Sequence, residues 1–309
     1  MQITHIIRGQ EFISSMPNYL NLYEALGYDM SSASTTDAKH ERTARASGAG
    51  DETTNSLRRE SEGLALPIFS TMPHIMNEQG NKKLGKRDGA KDVLDYIRDG
   101  YLQEALVSFI ATLGWNDGTT QEVFTMKELI EKFSLDRVGR SGARFDEKRL
   151  VWVNGHFIRE LPLDELTKRV EFFWPESAKK ADESYKRQVL ALAQERLKTL
   201  RDLPALTSYF FEEPSRDESL ITDNKQLKKL GGDEIAKLVK AAHDALETIE
   251  DWNPDTIQAA LNALLETTGQ KPGILFSLIR IYTTWAPFSP QLNETLALLG
   301  KSTTLSRLA

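Results

Sequence analysis

The chain has 309 residues, 40% of them hydrophobic and 27% charged, the balance of a soluble globular protein long enough for two or three domains with real cores. It has no cysteine, which excludes disulfides and thiolate zinc sites, and no apolar run approaches the ~18 residues of a membrane span. The net charge of −6 argues only mildly against nucleic acid, because binding uses local patches and not the total.

The opening "MQITHIIRGQEF" has no long apolar stretch and does not read as a signal peptide, so a cytoplasmic location is expected. "THIIRG" is β-branched and stops at Gly9, which predicts a strand. Ser14 or Ser15 is expected to cap a helix with Pro17 in its first turn, Leu20, Tyr23, Ala25 and Leu26 inward, and Gly27 at its end. A strand, a polar turn and a helix make one unit of an α/β fold. Residues 29–62 are rich in Ser, Thr, Ala, Asp, Glu and Arg and nearly lack large apolar side chains. Such a composition cannot offset the entropy of ordering, so a disordered insertion is expected. Residues 63–79 return to an apolar pattern and predict a second strand.

The stretch "AKDVLDYIRDGYLQEALVSFIATLGW" predicts two helices about Gly100. Val93, Leu94 and Ile97 share one face, and Ala105, Leu106, Phe109 and Ile110 the next. Thr125 and Glu128 are spaced as a capping box. "RFDEKRLVWVNGHFIREL" predicts another helix, with Leu150, Trp152 and Val153 buried and a break at Asn154–Gly155. From about residue 163 every strong signal is helical: Asp233 reads as a cap, Asn253 precedes Pro254, and Gly269 closes the helix between them. The fold class expected is mostly α, with a partial Rossmann-like α/β remnant at the N-terminus.

The loop "GNKKLGKRDGAK" has two readings. Lys-Gly-Lys-Arg is compatible with a solvated surface turn. Equally, Gly80, Gly85 and Gly89 let a backbone approach a ligand closely, and Lys83 and Lys86 can neutralise charge on a phosphate. His5 and His74 adjoin apolar runs and read as packing residues, His156 as a turn residue, and His243 as helical. No His/Asp/Glu set has metal-ligand spacing. Trp115, Trp152, Trp174 and Trp285 read as core.

The block "HIIRGQEFISSMPNYLNLYEALG" and the later "KLGKRDGA" together resemble glutamyl-tRNA synthetase of the bacterial type. In that family a similar strand–helix precedes a "KLSKRxGA" loop, its version of the KMSKS signature of class I synthetases. "YIRDGYLQEALVSFIATLGW", "FDEKRLVWVNGHFIREL", "ERLKTLRDLPALTSYFFEEP" and "ETLALLGKSTTLSRL" resemble further family segments in the same order. The resemblance covers nearly the whole chain except the insertion. It implies that Arg8 pairs with the carboxylate of the substrate glutamate, a task suited to a planar bidentate guanidinium. Glu11 and Phe12 fall where the family lines the adenosine and acceptor-end pocket. Lys83 and Lys86 would hold the ATP phosphates as the catalytic pair, with Leu84 near adenine. Gly85 departs from the family's serine, which removes a hydroxyl and adds flexibility. Arg280 matches an arginine of "LFxPLRxALTG" and is either tRNA-facing or structural.

By the same resemblance, residues 1–100 correspond to the C-terminal half of the catalytic Rossmann domain, 101–162 to stem-contact junction helices, and 163–309 to a helical anticodon-binding domain. The implied substrates are ATP, with Mg2+ carried by the nucleotide and no zinc, and glutamate. The implied partner is tRNA(Glu); whether tRNA(Gln) is also taken is left open. A monomer with no membrane association is implied. No "HIGH" or "HxGH" occurs in the sequence. The family's first catalytic half is therefore expected to be missing, supplied by a separately encoded partner if at all, and the chain alone is expected not to activate glutamate. The glutamine-specific relatives carry a β-barrel anticodon region, which the helical periodicity here disfavours. The alternative from another class is a non-catalytic tRNA-binding or regulatory protein derived from the same C-terminal half.

Overall fold

The computed structural model describes residues 3–30, 66–85, 91–286 and 288–309. The insertion expected over 29–62 lies outside the described residues from 31 onward, as do Lys86 and the rest of the basic loop through residue 90. The chain forms two compact units. The first comprises Met1–Ala90, Ala111–Glu122 and Glu131–Asp146; the second comprises Lys91–Ile110, Val123–Ile130 and Glu147–Ala309.

In the first unit, β1 (His5–Gly9) and β2 (Ile68–Met72) form a parallel pair in the register His5↔Ile68 to Gly9↔Met72. Parallel strands need a crossover connection, and helix α1 (Met16–Ala25) lies within it. Its start is the expected one in sequence: Pro17 occupies the first turn and Ser15 the cap position. The Ser15 hydroxyl, however, donates to the Phe12 carbonyl at 2.8 Å and not to the helix. Gly27, at φ +85°, ends the helix. Leu20, Tyr23 and Leu26 are half-buried, whereas Ala25 is exposed. Tyr23 meets the edge of Phe69 at 6.1 Å, which places α1 over the Phe69 face of the strand pair. On the opposite face Ile7 and Ile68 remain 51% and 60% exposed.

Past β2 the chain makes a tight hairpin. Met76 bridges antiparallel to Lys83, and the Leu84 amide donates to the Ile75 carbonyl at 2.8 Å. Buried Asn77 anchors the turn by accepting from the amides of Asn81 and Lys82. Gly80 adopts φ +72°, a conformation that costs glycine nothing. On its other side Met76 exchanges backbone bonds with Ala143 and Phe145. Thus Gly80–Lys83, the start of the loop with two readings, belongs to a hydrogen-bonded turn.

The second unit is helical. Helix α2 (Val93–Arg98) is capped by Asp92, and helix α3 (Gln103–Ala111) follows. The expected apolar face of α2 is not its packed face. Val93, Leu94 and Ile97 are exposed, and the buried residue is Tyr96, set edge-on to Tyr101 at 5.4 Å. In a helix of six residues one aromatic pair decides the orientation. Ala105, Leu106 and Phe109 of α3 are buried as expected, but Ile110 is 54% exposed. Helix α4 (Met126–Lys132) opens with the expected capping box: the Thr125 amide donates to Glu128 at 2.7 Å and the Glu128 amide to the Thr125 hydroxyl at 3.2 Å.

Helix α5 (Glu147–Glu160) corrects the expected Asn-Gly break, because it runs straight through both residues. Asn154 is fully buried. Its Oδ1 accepts from the Leu102 amide at 2.8 Å, and its Nδ2 donates to the Lys198 carbonyl at 2.6 Å. Gly155 lies against the same Leu197–Lys198 segment; a Cβ there would stand 3.4 Å from the Leu197 carbonyl oxygen, an ordinary van der Waals contact. His156 is accordingly helical, and it stacks on Trp152 one turn earlier. Trp152 is half exposed and not core, since the buried stripe runs through Leu150, Val153, Asn154 and Ile158. Trp115 is buried; Trp174 and Trp285 are half-buried.

Helix α6 (Leu163–Arg169) leads to α7 (Glu183–Gln194), which feeds two cores at once. Leu190 packs with Leu102, Val153, Leu166 and Leu203, while its neighbour Val189 packs with Leu246, Ile257 and Leu275. Two short helices, α8 (Leu203–Thr207) and α9 (Ser219–Thr222), bridge to the last five. These are α10 (Gly232–Glu247), α11 (Pro254–Thr268), α12 (Pro272–Thr284), α13 (Leu292–Leu299) and α14 (Lys301–Leu308). Gly231 caps α10, so Asp233 sits inside its first turn, where a negative charge faces the positive end of the helix dipole. Asn253 caps α11 through the amides of Asp255 and Thr256, and Gly269 closes it at φ +65°.

Arg307 on α14 was not singled out from sequence, yet it ties the last core together. Its side chain is 5% exposed. It donates to the carbonyls of Tyr209, Thr283 and Glu212 and to the Glu213 carboxylate, all at 2.8–3.1 Å. Among the described residues no helix is long and apolar enough to cross a membrane.

Candidate active site

The first unit gathers most of the residues singled out above. Arg8 is the penultimate residue of β1, and Gly9 leads the chain into the short 3-10 helix Gln10–Ser15 that carries Glu11 and Phe12. Arg8 lies between two rings, 4.4 Å from the centre of Phe12 and 4.7 Å from that of Tyr19. Stacking on π faces holds a guanidinium plane while leaving its donor edge to meet a planar anion. One donor reaches Tyr19 Oη at 3.5 Å.

Glu11 and Lys83 meet although 72 residues separate them: Lys83 Nζ donates to Glu11 Oε1 at 3.1 Å. Both are well exposed, at 56% for Lys83 and 42% for Glu11. Water and salt screen an exposed pair of this kind, so an anion of higher charge can displace the carboxylate. A Cβ at Gly9 would meet the Glu11 carboxylate, the flexible end of a side chain that would have to shift to admit it. The Glu11 carboxyl is held below its ordinary range by its own backbone amide and then by Lys83. His74 Nδ1 lies 3.4 Å from the second oxygen, Oε2. Sequence alone gave His74 a packing role. No local pattern marks it, since its partner comes from the far side of the crossover. Tyr19 was missed for the same kind of reason, being one helix turn past the segment that holds its cation.

The hairpin fixes Lys83 and Leu84 by backbone bonds, and half-buried Leu84 has its amide committed to Ile75. Lys86 lies outside the described residues. Arg280 is in the second unit. It is half-buried, donates from Nε to Ser289 Oγ at 2.8 Å, and is lowered in pKa chiefly by desolvation. The structure also supplies a set of potential metal ligands that the spacing argument did not find. One ligand atom each from His243, Asp244 and Glu247 falls within 4.8 Å of the others on the surface of α10.

Two family models match. One, described as the catalytic domain of class I tRNA synthetases (E and Q), covers residues 61–152; the other, an anticodon binding domain, covers residues 165–309. The glutamate–tRNA ligase of Chlorobaculum parvum is 32% identical over 321 aligned positions, covering 100% of this chain and 56% of that protein. That of Moorella thermoacetica is 31% identical with the same shares covered. A crystal structure of a glutamate tRNA ligase from Elizabethkingia meningosepticum, in complex with its amino acid, shares the fold with a TM-score of 0.70 at 24% identity, again over 100% of this chain and 56% of that one. Over its whole length the chain is similar to glutamate–tRNA ligases, of which it spans about 56%, and the class I catalytic and anticodon-binding models match it in that order along the chain.

Proposed function

We propose that the chain supplies the C-terminal portion of a glutamate–tRNA ligase. In that activity ATP and glutamate form glutamyl-adenylate, and glutamate then passes to the 3' end of tRNA(Glu). Residues 1–100 contribute the C-terminal half of the nucleotide fold, 101–162 the stem-contact junction and 163–309 the anticodon-binding helices. Arg8 takes the glutamate carboxylate. Glu11, Phe12 and Leu84 line the ATP and acceptor-end pocket, and Lys83 and Lys86 hold the phosphates, with Mg2+ arriving on the nucleotide. Arg280 braces the anticodon-binding helices through Ser289. The protein acts as a cytoplasmic monomer that works with a HIGH-bearing segment, on the same polypeptide or another.

The observation that carries this reading is the Glu11–Lys83 contact beside the stacked Arg8. It draws the strand-end segment and the lysine loop to one place, as a site for an amino acid and a triphosphate requires. Attack of a carboxylate on the α-phosphate needs its groups placed to within about an ångström, and these 309 residues contain no HIGH signature. The 309-residue chain by itself is therefore expected to bind tRNA(Glu), with affinity falling steeply as salt rises, and to give no glutamate-dependent pyrophosphate exchange. Salt-insensitive or absent tRNA binding would remove the reading; exchange by the chain alone would remove its dependence on a second segment.

A further inference from the structure

Glu11 serves two partners. Lys83 Nζ stands 3.1 Å from Oε1, and His74 Nδ1 stands 3.4 Å from Oε2. While the imidazole is neutral, Glu11 and Lys83 cancel each other's charge. An anion that engages Lys83 must then lie beside a carboxylate whose counter-charge it has just taken. Like charges at contact distance oppose each other, moderately at a solvated site such as this one. The arrangement contains a remedy, because the ring on the carboxylate's other oxygen can become a cation. His74 is positioned for this: it lies two residues past β2, and its side chain is 26% exposed, so a solvent proton can reach it.

We propose that His74 is the positioning residue of this site, taking a proton from solvent when an anion engages Lys83 and holding the Glu11 carboxylate in the lysine's place. The balance is simple. One proton moves from buffer to the imidazole, Nδ1–H donates to Glu11 Oε2, and no covalent bond changes. The proposal rests on the reading that Lys83 meets phosphate; it adds a residue and a proton which that reading does not require.

Among the described residues, the charged groups at the Glu11 carboxylate are Lys83 and His74. Arg144, from the segment beside Met76, packs over Gly80 at the tip of the hairpin. Glu11 is lowered in pKa by its own amide and by Lys83, so it stays charged where imidazoles as a class titrate, between pH 5 and 8. Linkage sets the sign: if the bound state holds more protons, affinity for the anion falls as pH rises through the imidazole range.

The test titrates inorganic tripolyphosphate into the 309-residue chain by calorimetry at fixed ionic strength, from pH 6 to pH 8, in two buffers of different ionisation enthalpy. The same titration is run on His74→Gln, which keeps a polar side chain and cannot titrate. Tripolyphosphate's own protonation is common to both proteins and cancels in the comparison. Binding to the native chain should weaken roughly fivefold more than binding to the variant over that range, within the ceiling of about tenfold per pH unit for one proton. It should also show net proton uptake that His74→Gln lacks. Independently of any variant, the NMR titration midpoint of the His74 ring should move to higher pH when tripolyphosphate is added. Identical pH dependence in the two proteins, or an unmoved midpoint, would overturn the role of His74 while leaving Lys83 in place. Binding that Lys83→Ala does not weaken would overturn both the role of His74 and the assignment of Lys83.

Discussion

The two units differ in how they are held together. Among the described residues of the first unit, Pro67, Asn77 and Trp115 are the buried ones, and neither β1 nor α1 contains a fully buried side chain. In the second unit, by contrast, Leu190, Leu197, Leu203, Leu246, Ile257 and Leu275 are completely buried. The first unit presents charge and backbone at its surface and keeps little apolar area from water. The second encloses large cores and pairs interior polar groups such as Asn154 and Arg307, although Ser177 Oγ and Tyr209 Oη are buried without a hydrogen-bond partner. The region to which the proposed site is assigned is thus the weakly packed one, in keeping with the rule that ligand-binding segments come from the low-stability end of a protein.

Core truncation should show the contrast between the units most plainly. Leu246→Ala removes a fully buried side chain and should cost ~2–5 kcal/mol by cavity formation. Ile7→Ala, at a half-exposed position of β1, should cost under ~1 kcal/mol. Urea denaturation of both variants measures the contrast, and equal losses would mean that the first unit is as tightly built as the second. Asn154→Ala should come next, at ~1–3 kcal/mol, because it leaves the Leu102 amide and the Lys198 carbonyl without their partner inside the second unit. Thermal unfolding of Asn154→Ala reports it, and a change within error would show that helix α5 crosses this chain segment without help from the amide.

That asparagine also marks where sequence reasoning stopped. Asn-Gly is a strong turn signal in isolation, and only the approach of Leu197–Lys198 explains why both residues are helical. Caps with a local signature were legible: Thr125 with Glu128, Asn253 before Pro254, and Gly269. The fold class was legible too, because helical periodicity persists over long stretches of the second unit. The packed face of α2 was not, since Tyr96 and Tyr101 settle it by a contact that periodicity does not encode. At the site, Arg8, Glu11 and Lys83 stood out through resemblance. His74, Tyr19 and Arg307 did not, because their partners lie 63, 11 and up to 98 residues away.

The smallest expected effect is electrostatic. Arg169 bonds both oxygens of Glu104 at 2.9 Å and also Glu165, and it holds the Glu104 carboxyl below the ordinary 4.5. A folded-state pKa that is depressed contributes stability above the unfolded value and loses it as pH falls through the folded value. The pair is partly exposed, so the contribution should be ~1 kcal/mol or less. Glu104→Gln should therefore narrow the stability difference between pH 5 and pH 3 by about that amount. An unchanged difference would assign the acid sensitivity of the second unit to other carboxylates.

The central claim is that the strand end and the lysine hairpin of the first unit build one anion site. Equilibrium titration of Mg–ATP against the 309-residue chain and its Lys83→Ala variant tests it most directly. A Lys83→Ala variant that binds roughly tenfold more weakly, a change of about 1.4 kcal/mol, with an unaltered thermal midpoint, is the predicted result. Equal affinities for the two proteins would contradict the account.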